Sequence, residues 1–285
     1  MERFSMPREL TDEICTRLGV ALPTDLDGVT PLFRAWCERI PFDSISKALA
    51  RSEGTLPPGG EPTDLAERWL ATGLGGTCWG HTSTMGAVLE TAGVRCRVGL
   101  DRYQVPDLVD LHSFLVVEDG DRSLALDVVH NSGDPLVIRD GARGTHPAYP
   151  VELVEVDGRL LHRYLRLHRD SREWGSYAVL STDLDADDLR TFCEIMRVYG
   201  MRALSIYHRR FTATEMIDAS PSEDGTAMDV RVVTADGATT RSIADPDEAF
   251  AAMGCSTAAL DLAIRAGLIT RKDDGTTAYA VRPPS

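Results

Sequence analysis

The sequence is poor in lysine and in positive charge. Of its 30 Lys and Arg residues only Lys47 and Lys272 are lysine, and 44 Asp and Glu residues give a formal net charge of −14. A polyanion must be met by a basic surface, and any basic stripe here would be local against an acidic background. Nucleic acid is therefore not predicted as a partner.

The sequence also lacks paired cysteines and long apolar runs. Its closest two cysteines, Cys78 and Cys96, lie 18 positions apart, so no CxxC motif supports a zinc knuckle or a thioredoxin-like site. Residues 1–15 are charged and contain no apolar core of a signal peptide, and no run approaches the roughly 18 apolar residues of a membrane span. We therefore expect a cytoplasmic protein with reduced thiols and no membrane partner.

The order of periodic segments predicts an α+β fold in three blocks. Residues 1–93 show helical spacing of apolar residues, with glycines at the expected ends of helices, and should form a helical bundle. From residue 94 to 182 the period changes to two, and Asp-Gly pairs separate short strands, which favours an antiparallel β-barrel. Residues 183–285 should form a linker helix and an α/β lid.

Cys78 is the strongest candidate nucleophile among the six cysteines. It follows Gly75-Gly76-Thr77 and opens a predicted helix. Free N–H groups and the helix dipole at such a position favour a thiolate and are able to hold an oxyanion. The other cysteines are interpreted as packing residues, since free cysteine is commonly buried.

His112 and Asp127 are candidates for a base and its orienting carboxylate. A tight hairpin centred on Asp119-Gly120 would place residues opposite each other when their numbers sum to about 239, and those of His112 and Asp127 do. A carboxylate that orients an imidazole beside a thiol is the usual arrangement for nucleophilic catalysis.

These segments resemble the motifs of the arylamine N-acetyltransferases. That family has Pro-Phe-Glu-Asn after its second helix, Arg-Gly-Gly-x-Cys at the nucleophile, a His that opens a strand, and Asp-Val-Gly-Phe-Gly on the next strand. The corresponding segments here are Pro41-Phe42-Asp43-Ser44, Gly75-Gly76-Thr77-Cys78, His112-Ser113-Phe114 and Asp127-Val128-Val129. The resemblance covers roughly residues 30–140, with looser agreement to about 265.

The resemblance implies a fold and a reaction. The fold is a helical bundle, a β-barrel and an α/β lid around a cysteine-protease-like core. In the reaction, Cys78 takes an acyl group from a thioester such as acetyl-CoA, and His112 and Asp127 assist its transfer to an arylamine or hydrazine. No cofactor is expected to be tightly bound, and the acyl-CoA or phosphopantetheine thioester is a cosubstrate.

The departures from the family motifs point to a changed substrate. Leu74 stands where the family has Arg, the shorter Asp43 replaces Glu, and Gly80 replaces an acidic or amide residue, which suggests a lost structural ion pair. Val129-His130 replaces Gly-Phe and alters the expected acyl pocket. Related amide synthases of specialised metabolism use the same triad with carrier-protein thioesters, so an acyl carrier protein is a candidate partner.

Six further residues are candidates for binding the donor or the acceptor. His81 lies one helical turn after Cys78 and either lines the acceptor pocket or occupies a polar helix face. Arg209 and Arg210 belong to the densest basic segment, which either binds a phosphate-rich donor or forms a solvated face. The full set is Phe42, Trp79, His81, His130, Arg209 and Arg210.

No metal site is predicted. Asp183, Asp185, Asp187 and Glu194 match several positions of a calcium loop, but Asp188 replaces its turn glycine, and the acids suit a helix N-terminus better. His162 and His168 are too far apart on one strand to share a zinc ion.

Two alternatives remain open from the sequence. The triad would also serve a thioester or amide hydrolase or a transglutaminase-like enzyme, in which case water or a different acceptor takes the acyl group. A catalytically silent binding scaffold would retain the fold with an ordinary thiol at Cys78.

Overall fold

The computed structural model describes residues 4–55, 59–103, 111–130, 133–167, 172–184 and 205–281. The helices within these ranges are α1 (Arg8–Leu18), α2 (Val29–Arg39), α3 (Ile45–Glu53), α4 (Pro62–Thr72), α5 (Cys78–Thr91), α6 (Pro246–Met253) and α7 (Thr257–Arg265). The strands are β1 (Phe42–Asp43), β2 (Cys96–Tyr103), β3 (Leu111–Asp119), β4 (Arg122–Leu126), β5 (Leu136–Val137), β6 (Val151–Val156), β7 (Arg159–Leu167), β8 (Arg172–Leu184), β9 (His208–Phe211), β10 (Met216–Pro221), β11 (Met228–Val233), β12 (Ala238–Ile243), β13 (Ile269–Arg271) and β14 (Thr277–Tyr279).

The four helices predicted for the first block are α1, α2, α4 and α5, and the structure adds α3. Glycines in the left-handed conformation end α1 at Gly19 and α4 at Gly73, as their sequence positions predict. Helix α3 has no capping side chain at Ser44; instead Asp43 Oδ1 accepts the N–H groups of Ile45 and Ser46 at 3.0 and 3.3 Å. The acceptor lies one residue earlier than the usual N-cap, which explains why the sequence pattern missed this helix.

Helix α5 lies at the centre of the N-terminal core. Its first 12 residues, from Cys78 to Leu89, are all buried, and it packs against strand β3 and helix α4. A helix that is buried on every side needs no apolar stripe, since no face meets water. The residue that opens it is therefore held on a rigid support.

The middle strands form a seven-stranded antiparallel sheet in the order β5-β4-β3-β2-β8-β7-β6. The predicted hairpin at Asp157-Gly158 is present: both residues have positive φ, at 51° and 71°, and Val156 pairs with Arg159. Over the described residues the outermost strands β5 and β6 do not pair with each other. The barrel and the cysteine-protease-like core are accordingly not confirmed.

The hairpin β3–β4 has a different register from the predicted one. Asp119 pairs with Arg122, and Leu115 pairs with Leu126, so the two central residues are Gly120 and Asp121 and paired numbers sum to 241. Gly120 has φ +63°, which the first central position of a II′ turn requires. The predicted direct pairing of His112 with Asp127 is therefore wrong by two residues, although a two-residue shift keeps both on one face.

The C-terminal strands form a five-stranded sheet in the order β1-β9-β10-β11-β12, with a separate β13–β14 pair. Strand β1 comes from the predicted helical block and pairs with β9 through Phe42↔Arg209 and Asp43↔His208. The sequence pattern did not predict β1, β10, β13 or β14. Most of the predicted linker helix falls at 185–204, outside the described residues, and the three-block division stays a prediction.

Within the described ranges, no helix combines the length and the apolar character that crossing a bilayer requires.

Candidate active site

Cys78 is the first residue of α5 and is 9% exposed. The preceding Thr77 has extended backbone angles (φ −85°, ψ 175°), so the chain enters the helix abruptly after the Gly75-Gly76 turn. The first N–H groups of a helix have no acceptor within the helix and carry its positive dipole end. The thiol therefore lies beside N–H donors that are placed to hold an oxyanion.

Two motif segments distant in sequence are hydrogen-bonded at this turn. The Asp43 N–H donates to the Gly76 carbonyl at 3.0 Å, and the Ser46 hydroxyl donates to the Gly75 carbonyl at 3.1 Å. The Asp43 carboxylate also accepts the Gly75 N–H. A Cβ on Gly75 would lie 1.8 Å from the Pro41 carbonyl oxygen, so this close approach requires glycine. The Pro41–Ser44 segment thus fixes the loop that leads to Cys78.

Asp43 is fully buried and has no ion pair with the position that the family gives to Arg. Leu74 occupies that position and is itself buried in the apolar core around β10 and β11. Burial raises the pKa of Asp43 to about 6, although three backbone N–H groups and the charge of Arg68 act in the other direction. The expected loss of the ion pair leaves a buried carboxyl group whose role is to hold two loops.

His112 lies between Cys78 and Asp127. His112 Nε2 is 2.7 Å from Asp127 Oδ2, both residues are 3% exposed, and the imidazole also forms a side-chain hydrogen bond with Cys78. Burial alone would lower the pKa of His112, but the charge and the hydrogen bond of Asp127 outweigh it and raise this pKa well above its usual value. The imidazole is therefore a good acceptor for the thiol proton.

Asp127 is held by groups on both of its oxygens. Oδ1 accepts the backbone N–H groups of Val129 and His130, each at 3.0 Å, while Oδ2 faces His112 and lies 3.8 Å from Nδ1 of His162. Burial would raise the pKa of Asp127, but the surrounding histidines lower it below its usual range. Asp127 is thus an ionised, immobile carboxylate beside His112.

The other described cysteines do not open a helix, although Cys255 Sγ lies 3.8 Å from Nδ1 of His208. Burial raises the pKa of Cys15 to about 11 and of Cys255 to about 12, and it raises the pKa values of Cys37 and Cys96 as well. Such thiols are inert at neutral pH. Cys193 lies outside the described residues.

His81 is a structural side chain in a fully buried position and is not part of a polar helix face. Its Nδ1 accepts the indole N–H of Trp36 at 3.0 Å, and its Nε2 lies 3.1 Å from the Pro41 carbonyl, which requires the proton on Nε2. Burial lowers its pKa to about 4, so it is neutral at neutral pH. Both nitrogens are engaged, which leaves none for a substrate, although the ring lines a small cavity beside Cys78.

Phe42 and Trp79 flank the turn before α5. Phe42 forms a backbone bridge with Gly76, and its half-buried ring meets Tyr207 edge-on at a centroid distance of 5.7 Å. Trp79 is 5% exposed and belongs to the N-terminal core. Phe42 is the better placed of the two to meet a ligand, and binding by either remains a prediction.

Arg209 and Arg210 do not form an open phosphate site. Arg209 is half-buried, pairs with Asp218 at 3.1 Å, and lies over the rings of Tyr149 and Tyr207. Arg210 is also half-buried, and its guanidinium lies beside Gly254 at the end of α6. Arg209 is thus engaged within the fold and is not part of a solvated face, and a binding role for Arg210 stays a prediction.

His130 is part of a buried aromatic cluster behind the triad. Its ring lies 4.9 Å from that of His112, 5.5 Å from that of His162 and 4.3 Å from that of Tyr164, and its Nδ1 is 2.9 Å from the Tyr149 hydroxyl. Sequence patterns did not single out Tyr149 or Tyr164 because they lie on other segments. Long-range pairing brings these residues together.

One described group of side chains has the spacing of metal ligands. Ligand atoms of His112, Asp127 and His130 lie within 4.8 Å of one another. His112 and Asp127 are already hydrogen-bonded to each other there, and the expected absence of a metal stays a prediction. Most of the segment that partly matches a calcium loop, at 185–194, and His168 fall outside the described residues.

Two cavities lie near these residues. The smaller, about 10 Å³, has room for about one water molecule and is lined by Cys78, His81 and the Thr82–Ser113 hydroxyl pair, which are 3.1 Å apart. The larger is a cleft of about 400 Å³ between α2 and the loop at 133–147, and it is lined by polar residues that include Arg34, Glu38 and Asp134.

Comparison with known proteins places the fold. No family model and no curated protein matches the sequence. Among solved structures, the chain is similar to Mycobacterium marinum arylamine N-acetyltransferase in complex with CoA, with a TM-score of 0.69 and 18% identity over 90% of this chain and 98% of that chain. The M. tuberculosis enzyme gives a TM-score of 0.65 and 21% identity, over 85% of this chain and 89% of that chain. The Salmonella typhimurium enzyme gives a TM-score of 0.66 and 14% identity, over 86% of this chain and 89% of that chain. The resemblance inferred from the motifs is confirmed at the level of the fold.

Proposed function

We propose that this chain, which has the fold of the arylamine N-acetyltransferases, is an N-acyltransferase that forms a Cys78 acyl-enzyme. The observation that carries the proposal is the buried Cys78–His112–Asp127 arrangement at the start of α5. The fold similarity alone does not carry the activity, since one fold serves many functions.

The first half of the proposed reaction transfers the acyl group to the enzyme. His112 takes the thiol proton of Cys78, and the thiolate attacks the carbonyl carbon of the thioester. The N–H groups at the start of α5 stabilise the oxyanion of the tetrahedral intermediate. The carbon–sulfur bond to the donor then breaks, and the leaving thiolate receives the proton from His112.

The second half regenerates the thiol. An amine attacks the acyl-Cys78 carbonyl, and His112 takes the proton that the amine loses. When the bond to Cys78 Sγ breaks, His112 returns a proton to the sulfur and the amide leaves. Asp127 orients the imidazole and stabilises its positive charge in both halves.

The proposed donor is an acyl-CoA, with acetyl-CoA as the default, and the proposed acceptor is an arylamine or hydrazine. One structural neighbour holds CoA, which supports this class of donor for the present chain. The reaction needs a reduced thiol, which agrees with the expected cytoplasmic location.

A second candidate is an amide synthase that takes its acyl group from a carrier protein. The observation that favours it is His130, which fills the space behind the triad with a polar ring held by Tyr149. His130 stands where the family motif has Phe, so we expect the acyl group and its carrier to differ from those of the family.

Intact mass measurement after incubation with a panel of acyl-CoA and carrier-bound thioesters tests the proposal. We expect one acyl group to add to the wild type and to Cys255→Ala, and none to add to Cys78→Ala. Addition of an arylamine should remove the label as amide, whereas loss of the label in water alone at the same rate would indicate a hydrolase. An acyl-enzyme that persists in Cys78→Ala would overturn the assignment of the nucleophile.

A further inference from the structure

A chain of hydrogen bonds runs from the C-terminal sheet to the triad. Asp218 pairs with Arg209 on the neighbouring strand, Arg209 Nη1 donates to the Tyr149 hydroxyl at 3.3 Å, and that hydroxyl lies 2.9 Å from His130 Nδ1. The His130 backbone N–H then donates to Asp127 Oδ1 at 3.0 Å. Four residues outside the triad thus connect to its carboxylate.

The direction of these bonds follows from the chemistry of the groups. Arginine has only donors, so the Tyr149 oxygen is the acceptor of the Arg209 bond. The Tyr149 hydroxyl has a second lone pair and a proton of its own, so it bonds to His130 Nδ1 in either tautomer of the ring. This bond fixes the position of the His130 ring.

His130 stays neutral in this setting. Burial lowers its pKa well below the usual value, and the positive charges of His112, His162 and Arg209 act in the same direction against the single charge of Asp127. A neutral ring, held at Nδ1 by the Tyr149 hydroxyl, then packs edge-on against His112.

The titratable and charged groups that face His112 and His130 come from α5, β7, β9 and the segments after β4 and β5. They are Cys78, Asp127, Tyr149, His162, Tyr164 and Arg209. Arg209 carries a permanent charge, and its pKa is raised further by Asp218 even though burial acts to lower it.

We propose that His130 is a positioning residue, locked by Tyr149 and Arg209, that holds His112 in line between Cys78 and Asp127. It acts through its ring, which packs on His112, and through its backbone N–H, which fixes Asp127. The inference rests on the proposed function, since it concerns the same nucleophile.

The test measures the pH dependence of alkylation of Cys78 by iodoacetamide, followed on the Cys78 peptide by mass spectrometry. In Tyr149→Phe, His130 Nδ1 loses its hydrogen bond with the Tyr149 hydroxyl, and a His112 ring that is held less firmly should take the Cys78 proton less readily. The midpoint of the profile should rise by roughly half a pH unit or more, the size expected for one ordinary hydrogen bond.

His130→Phe keeps an aromatic ring and the backbone N–H, removes the hydrogen bond with Tyr149, and should raise the midpoint in the same direction. In the double variant the two shifts should not add, because Tyr149 acts through His130. Tyr279→Phe is the matched control: this buried tyrosine donates to the Ala244 carbonyl in the C-terminal block, and its loss should leave the profile unchanged.

Each outcome is informative. A Tyr149→Phe profile that superimposes on the wild-type profile, or shifts that add in full in the double variant, would overturn the positioning role while leaving the proposed function intact. A wild-type midpoint at the value of an ordinary thiol would count against the proposed function. The positioning role is judged separately, by the difference between the Tyr149→Phe midpoint and the wild-type midpoint.

Discussion

Asp43 shows what one shortened side chain does to a buried site. Within the described part of the chain this buried carboxyl group has no ion pair; three N–H groups donate to Oδ1, and no described group hydrogen-bonds to Oδ2. A buried carboxylate that is only half satisfied is costly when it is ionised. The protein therefore carries a group whose charge state alters its stability within the mildly acidic range.

Replacing Asp43 by Asn should make the fold less sensitive to pH. The pKa of Asp43 is raised from 3.8 to about 6 by burial, so the folded state binds more protons than the unfolded chain within that window. The stability that the neutral carboxyl group allows is fully present below the pKa of the unfolded chain, 3.8, and is lost as the pH rises through the pKa of the folded state, about 6. The free energy of unfolding of Asp43→Asn relative to the wild type should thus rise by up to ~3 kcal/mol between about pH 4 and pH 7.

Urea unfolding at several pH values measures this difference. Asp12→Asn, an exposed residue that pairs with Arg8 within one helix, serves as the control and should show little change. A difference between Asp43→Asn and wild type that stays constant over the whole range would show that Asp43 does not titrate in the fold.

The sequence indicates which residues form the site, but it does not indicate which residues surround them. Cys78, His112 and Asp127 were identified because spacing and motif order are local properties of the chain. The engagement of His81 by Trp36 and Pro41, and of Arg209 by Asp218, depends on which segments meet in space. A binding role for these two residues was therefore a reasonable expectation that their contacts do not support.

At the scale of elements, the turn before α5 depends on one glycine. A Cβ on Gly75 would overlap the Pro41 carbonyl oxygen at 1.8 Å, and the overlap is with backbone, which cannot rotate away. We expect Gly75→Ala to lower the free energy of unfolding by about 3 kcal/mol or more and to displace Cys78.

Gly60→Ala is the matched control for that substitution. No atom lies within 4 Å of a Cβ at Gly60, so its stability should change by less than about 1 kcal/mol. Thermal melting together with the Cys78 alkylation rate measures both effects. A Gly75→Ala protein with wild-type melting temperature would show that the two loops are not in close contact.

Helices and hairpins were predicted well where their end signals are local. Glycines after α1 and α4, and Asp157-Gly158 between β6 and β7, gave the correct elements. The register of β3–β4 was wrong because Asp119-Gly120 was assumed to be the turn centre, whereas the positive φ of Gly120 places the centre one residue later. Helix α3 was missed because its acceptor is a side chain that also serves another loop.

At the scale of the whole molecule, Ser44 connects the helical region to the C-terminal sheet. Its hydroxyl donates to the Ser205 carbonyl at 2.8 Å and accepts the Tyr207 N–H at 2.9 Å, and its backbone N–H donates to the Tyr207 carbonyl at 3.0 Å. Ser44→Ala removes both side-chain bonds and leaves the Tyr207 N–H unsatisfied. We expect a loss of about 1–3 kcal/mol in the free energy of unfolding.

Ser52→Ala provides the comparison, because the Ser52 hydroxyl donates to the Leu49 carbonyl within its own helix at 2.8 Å. Ser52→Ala should change the free energy of unfolding by no more than about 0.5 kcal/mol. Equal losses in the two variants would mean that the contact between the helical region and the C-terminal sheet contributes nothing through Ser44. The sequence offered no sign of this contact, since its partners lie more than 160 positions apart.

The pairing of β1 with β9 also sets an order of events during synthesis. Phe42 and Asp43 emerge early from the ribosome, yet their strand partners are Arg209 and His208, in the last third of a chain of 285 residues. The segment that fixes the loop before Cys78 therefore gains its sheet only when most of the polypeptide has been made. The support of the proposed nucleophile is therefore completed late, after the helix that carries it has been synthesised.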